Sequence, residues 1–264
     1  MRETGSHLFN YFCNTHWAMR PDTLSILKDM ALSYIRGDIR GGSVNPTTAE
    51  VRNPIIQDGV AILPIDGVLL NKANSLDAEC GFASTQHLRA QFNALVELKH
   101  INRIVLDIES PGGSVVGIPE FAEDIYNARS VKETVAFTNG NMCSAAYWLG
   151  SACEVIVSEG SACIGSIGTY SIVSKNKEPQ NDIYIFQAGS KKLYGSPDIA
   201  MTTEEAEFFA KGVQQVNEKF LATIARNRGV DIEMVRGLEA EYFYADNAPE
   251  WLFDDKGTFN HALS

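Results

Sequence analysis

The sequence predicts an α/β protein built on a largely parallel sheet, preceded by a helical arm. Three observations carry that expectation. From residue 60 onward, short apolar runs alternate with stretches of helical spacing, the order expected of strand–crossover–strand units. The run Arg103-Ile104-Val105-Leu106-Asp107-Ile108 is apolar almost throughout, as in a strand covered on both faces. Residues 38–54 are rich in Gly, Pro, Thr and Ser and read as a linker.

Before that linker, Leu24, Leu27, Met30, Ala31 and Ile35 recur at three- and four-residue steps, so the spacing predicts a helix over 15–36. The segment is too short to bury a core of its own. The chain therefore divides into an arm and linker over 1–53 and a main domain over 54–264. In the main domain, strands are expected at 60–65, 103–108, 134–137, 154–157, 169–173 and 183–186. Helices are expected at 86–98, with Leu88, Phe92, Leu95 and Val96 inward, and from about 118 to 128. A further helix opens at Ser144. The longest begins near Thr203, where Thr202 and Glu205 have capping-box spacing, and ends by Gly229. Its stripe of Phe208, Phe209, Val213, Val216, Phe220 and Ile224 suits a core or a subunit interface.

With 22 Lys and Arg against 33 Asp and Glu, the net charge is −11. That argues against nucleic acid as a partner, since phosphate binding needs concentrated positive charge. The five cysteines (Cys13, Cys80, Cys143, Cys153, Cys163) lack CxxC spacing, which fits free thiols better than a zinc site or a disulfide framework. No run of about 18 apolar residues could span a membrane, and residues 1–14 lack the apolar core of a signal peptide. The expectation is a soluble, intracellular protein.

Three motifs carry chemistry. Ser144 lies in Asn141-Met142-Cys143-Ser144-Ala145-Ala146-Tyr147-Trp148, at an expected strand-to-helix junction. It is a candidate nucleophile, although a plain helix-capping serine would look the same. Gly112 and Gly113, in Ser110-Pro111-Gly112-Gly113-Ser114, could bring backbone N–H groups close to a ligand. With the N–H of Ala145 they could stabilise a tetrahedral oxyanion, each such donor contributing about 3–4 kcal/mol; a tight Pro-Gly turn is the simpler reading. None of the five histidines lies in or beside these motifs. Lys191 and Lys192 in Gly189-Ser190-Lys191-Lys192 could replace histidine as base if desolvation brought the pKa from about 10.4 towards 7–8. Cys143 adjoins Ser144 but has no evident activating partner and reads as packing.

The 106–113 and 143–148 segments, the Gly165-Ser166-Ile167-Gly168 turn and the 189–192 loop together resemble the signal peptide peptidase A family of serine peptidases. The likeness runs from about Val60 to Leu263 and is strongest to the phage head-maturation branch. It implies the Clp protease/crotonase fold of stacked ββα units. It also implies a Ser/Lys dyad in which Ser144 is the nucleophile, Lys192 the base and Ser166 the residue that orients the lysine. The oxyanion hole then draws on the Gly112/Gly113 pair and Ala145. No metal or organic cofactor is implied. The expected partners are scaffold, capsid or portal proteins as substrates and further copies of the chain as a homo-oligomer, without nucleic acid or membrane. The expected location is the prohead in the host cytoplasm. Two departures stand out: Ala145-Ala146 replaces a frequent Gly-Gly, and Lys191 stands where a small residue or histidine is common. The rival readings are a cellular signal-peptide-degrading peptidase, an acyl-CoA hydratase or thioesterase, and a non-catalytic capsid or scaffold-binding component.

Overall fold

In the computed structural model, the described residues are 15–20, 22–23, 53–72, 82–175 and 187–264. The expected strand at 183–186 lies outside them, as do nearly all of the expected arm helix and linker.

The core follows a repeating pattern. Strand β3 (Val60–Asp66) is followed by β4 (Val68–Leu70), a short β5 (Phe82–Ser84) and helix α1 (Thr85–Glu97). Strands β6 (Arg103–Glu109) and β7 (Gly112–Ser114) lead into α2 (Ile118–Ala128). Strands β8 (Glu133–Thr138) and β9 (Asn141–Cys143) lead into α3 (Ala145–Ser151). These are the stacked ββα units that the resemblance implies. The first strand of each joins one six-stranded sheet, ordered β14-β10-β8-β6-β3-β2, which includes β2 (Ile55–Gln57), β10 (Val155–Ser158) and β14 (Asp255–Lys256). All its pairings are parallel except β2 with β3. As expected for a doubly covered strand, Ile104, Val105, Leu106 and Ile108 are buried on both faces of β6.

The second strands peel off into two smaller sheets, and these build the site. One is ordered β12-β1-β7-β4-β5, with β1 at His16–Met19 and β12 at Tyr170–Ser171. The other is β13-β11-β9, with β11 at Cys163–Gly165 and β13 at Tyr242–Tyr244. β1 corrects the expected helix over 15–36, because its first residues are a strand. The reason is tertiary: β1 pairs antiparallel with both β7 and β12, so its backbone groups find partners on two edges. Leu24 and the remaining stripe residues lie outside the described set. β12 is also shorter than the expected 169–173.

Helix α4 (Thr203–Arg228) starts and stops where predicted. Thr202 accepts the Glu205 N–H at 3.1 Å, and Gly229 closes the helix with φ 66°. The apolar stripe divides in two. Phe220 and Ile224 are fully buried, and Phe220 stacks on Trp148 of α3 at 4.1 Å between centroids and 6° between planes. Phe208 at the other end is 47% exposed, so only the C-terminal half of α4 packs on the core. Helix α5 (Ile232–Arg236) and the final helix α6 (Phe259–Leu263) complete the chain. Phe259 of α6 meets Phe137 edge-on against the outer face of the large sheet. Among the described residues, no helix is long and apolar enough to cross a membrane.

Candidate active site

Ser144 sits on the single-residue turn between β9 and α3. Its backbone is held at φ 58°, ψ −118°, a region that residues with a side chain seldom enter and that costs on the order of 1–3 kcal/mol. The turn is tied on both sides: its N–H donates to Gly165 O at 2.7 Å, and its carbonyl accepts the Trp148 N–H at 2.9 Å. The hydroxyl does not cap α3. Instead Oγ approaches Gly168 O at 3.5 Å. The helix-capping reading of this serine is therefore set aside.

The two glycines of β7 have different surroundings. Gly112, at φ 102°, lies against the Ser144 turn: a methyl there would come within 3.0 Å of both Cys143 O and Ser144 Cβ. Its own N–H reaches Ser110 Oγ at 3.2 Å. A methyl on Gly113 would instead drive into the backbone of Leu69, its register partner on β4. Gly112 thus faces Ser144, and Gly113 allows close strand packing. Ala145 is buried as the first residue of α3.

β11 runs parallel to β9 with Gly165 opposite Cys143, which sets Ser166 beside Ser144. Ser166 is likewise left-handed, at φ 54°, and donates its N–H to Glu241 O at 2.8 Å. Two neighbouring serines held at positive φ frame the site. Cys143 is fully buried and directs its thiol at Cys163 O (3.4 Å) and Cys163 Sγ (3.8 Å). That hydrogen bond and burial hold the Cys143 thiol well above its ordinary pKa, so it is a poor nucleophile.

Ser144, Ser166, Gly112 and Ala145 are brought together; Lys192 is not. It lies in the 189–195 turn with an exposed side chain, and makes no hydrogen bond or ion pair to Ser144 or Ser166 among the described residues. Lys191 lies over the Phe208 ring at 5.4 Å.

Sequence reasoning missed what fixes this turn. Glu205 is almost fully buried at the start of α4. It accepts the Gly195 N–H and the Lys175 ammonium at 2.7 Å each, and Lys175 also donates to Ser196 O at 2.9 Å. The capping-box spacing marked Glu205 but sent its carboxylate to its own helix. Burial pushes this carboxyl up, yet the Gly195 N–H and Lys175 more than offset it and hold it below the usual range. The stability it contributes is complete above its unfolded pKa and is lost as pH falls through the lower folded value. The melting-temperature gap between native protein and Glu205→Gln should accordingly shrink on acidification from neutral pH to below about pH 4. A gap that stays constant would show that the carboxylate charge contributes nothing there.

The sequence pattern of peptidase family S49 matches residues 127–264, the stretch that contains Ser144, Ser166 and Lys192. The chain belongs to peptidase family S49. It is 27% identical to the head-tail preconnector protein GP5 of Enterobacteria phage P21, over 74% of this chain and 40% of that protein. It is 25% identical to the capsid assembly protease C of Escherichia phage lambda, over 88% of this chain and 52% of that protein. Protease 4 of Haemophilus influenzae is 21% identical, over 79% of this chain and 34% of that protein. The chain thus spans about half the length or less of these relatives. Among solved structures, a ClpP1 mutant from Listeria monocytogenes superposes with a TM-score of 0.49 at 16% identity, covering 77% of this chain and 94% of that one.

Proposed function

We propose that this S49 chain is a serine endopeptidase in which Ser144 attacks the peptide carbonyl and Lys192 is the base. The observation that carries the reading is the Ser144 turn. It holds a hydroxyl in a costly backbone conformation, leaves it free of capping duty, and sets it against the backbone of Gly112. Strain of this kind is kept where the surroundings over-determine it, and such places are commonly functional.

In the proposed sequence, neutral Lys192 takes the Ser144 proton, and Oγ adds to the substrate carbonyl. The oxyanion forms beside the N–H groups of Gly112 and Ala145. The lysine then returns the proton to the leaving amine, and water hydrolyses the ester. Ser166, one step from Ser144, orients the lysine. Because the Lys192 side chain is exposed and makes no hydrogen bond to Ser144 among the described residues, the first step requires that side chain, or the turn that Glu205 ties, to shift towards Ser144. The likeness to a capsid assembly protease and a head-tail preconnector protein of two phages supports capsid-assembly proteins as substrates, and the class we assign is scaffold, capsid or portal proteins cleaved inside a prohead in the host. The exposed Phe208 end of α4 is the surface we assign to contact between copies of the chain.

Intact mass after exposure to a fluorophosphonate probe tests the dyad. One adduct is expected on the native chain, with labelling at least 100-fold slower in Lys192→Ala. A folded native chain that takes no adduct, or a Lys192→Ala variant labelled at the native rate, counts against the assignment.

A further inference from the structure

β1 fills a slot whose two walls both grow out of the nucleophile's surroundings. On one side, β7 continues from the 110–112 turn that faces Ser144. On the other, β12 follows the 165–168 turn whose Gly168 carbonyl lies 3.5 Å from Ser144 Oγ. β1 runs antiparallel to both. Trp17, Ala18 and Met19 oppose Ser114, Gly113 and Gly112, while His16 and Trp17 oppose Ser171 and Tyr170. The Val115 N–H donates to His16 O at 3.1 Å and the Arg20 N–H to Pro111 O at 3.2 Å, so the pairing extends past β7 at both ends.

The strand also passes the reacting centre. The methyl that Gly112 lacks would strike Ala18 O as well as Ser144 Cβ. The Ala18–Met19 peptide therefore lies against the same glycine that faces the nucleophile. Side chains anchor it there. Trp17 and Ala18 are fully buried and Met19 nearly so, and the His16 ring hydrogen-bonds Ser171 Oγ. Arg20 reaches Asn141 Oδ1 at 3.2 Å and lies 4.4 Å over the Tyr242 ring. Without β1, the facing edges of β7 and β12 would carry unpaired N–H and C=O groups. An extended peptide added as a strand is the ligand that satisfies both.

We infer that the slot between β7 and β12 is the groove in which Ser144 receives an extended peptide, and that His16–Met19 occupies it in cis and excludes substrates in trans. The inference rests on Ser144 being the nucleophile. A substrate then binds as the central strand of three, with a small residue at the position of Ala18. It competes with a tethered segment whose effective concentration is in the millimolar range. The chain is closed to other proteins until β1 leaves.

A reversible tether in the full-length chain tests this. The bonds at His16 and Arg20 fall on alternate residues, which makes Trp17 and Ser114 a closely spaced, non-hydrogen-bonded pair suited to a disulfide. Hydrolysis of unfolded casein would be followed for the native chain, Trp17→Ala, and the Trp17→Cys/Ser114→Cys double variant, oxidised and reduced. Ser144→Ala is the blank, and each single cysteine variant is the redox control. Losing the Trp17 anchor should raise the rate at least 10-fold over the native chain. The oxidised double variant should fall to the blank and recover at least 10-fold on reduction. Equal rates above the blank in the oxidised and reduced forms would overturn cis occupancy and leave the peptidase intact. Folded variants that all stay at the blank would overturn both.

Discussion

Ser144→Ala should lower the rate of peptide hydrolysis by on the order of 10⁴-fold or more while leaving the melting temperature close to that of the native chain. A hydroxyl that forms the covalent intermediate has no substitute, and what remains is the catalysis from positioning and oxyanion donors alone. The stability half follows from the backbone. Alanine keeps a Cβ and therefore keeps the strain at φ 58°. Ser144→Gly separates the two properties. It should be equally inactive, yet relieve a conformation that glycine enters freely, stabilising the protein by about 1 kcal/mol or more. In a chain of this size that is a rise of roughly 2–4 °C. Activity and thermal melts on the three proteins check both halves. A glycine variant no more stable than the alanine variant would show that the turn is unstrained, and would remove the main support for Ser144 as a positioned nucleophile.

The second large effect lies beneath the turn. Trp148 is fully buried on α3 and stacked on Phe220 of α4, so Trp148→Ala removes the aromatic contact between the two helices and leaves the Asn227–Ser151 hydrogen bond. Truncating a buried aromatic of this size costs about 3–5 kcal/mol, a large share of the 5–15 kcal/mol that holds a typical domain folded. Trp148→Phe should cost much less. Its ring keeps the stack, and the indole Nε1 it removes has no hydrogen-bond partner among the described residues, so its loss relieves an unsatisfied donor. Denaturant unfolding of the two variants measures the difference. Equal losses would mean that the stack on Phe220 contributes little and that the volume of the second indole ring carries the packing.

The fold was legible where burial is continuous. β3, β6, β8 and β10 are apolar runs long enough to announce themselves, and α1, α2 and α4 carry a clear stripe or cap. β7, β9 and β11 were not legible as strands. Each is three residues long and built from Gly, Ser, Asn, Met, Ile or Cys, so nothing local distinguishes them from turns. They exist because neighbouring strands pair with them. β1 misled for a similar reason: helical spacing further along the arm concealed a four-residue segment whose conformation is set by partners far away. At the site, Ser144, Ser166 and the glycines could be named from motif order, and the structure brings Gly112, Ser144 and Ser166 together. The split between Gly112 and Gly113 could not be read, because it depends on which neighbour each glycine touches. The stand-off of Lys192 and the clamp made by Glu205 depend equally on tertiary geometry.

The order of strands across the large sheet has a kinetic meaning. From one edge to the other it reads β2, β3, β6, β8, β10, β14, which is also the order of translation. Up to β10, each strand of this sheet can dock on its predecessor soon after it emerges from the ribosome, so the sheet grows by short loop closures, and β14 adds only after residues 159–254. β1 is the exception. It is made first, yet its contact with Ser171 spans 155 residues, so its second edge can pair only after most of the chain exists. Early in synthesis, the segment that ends up deepest in the site has no place to go.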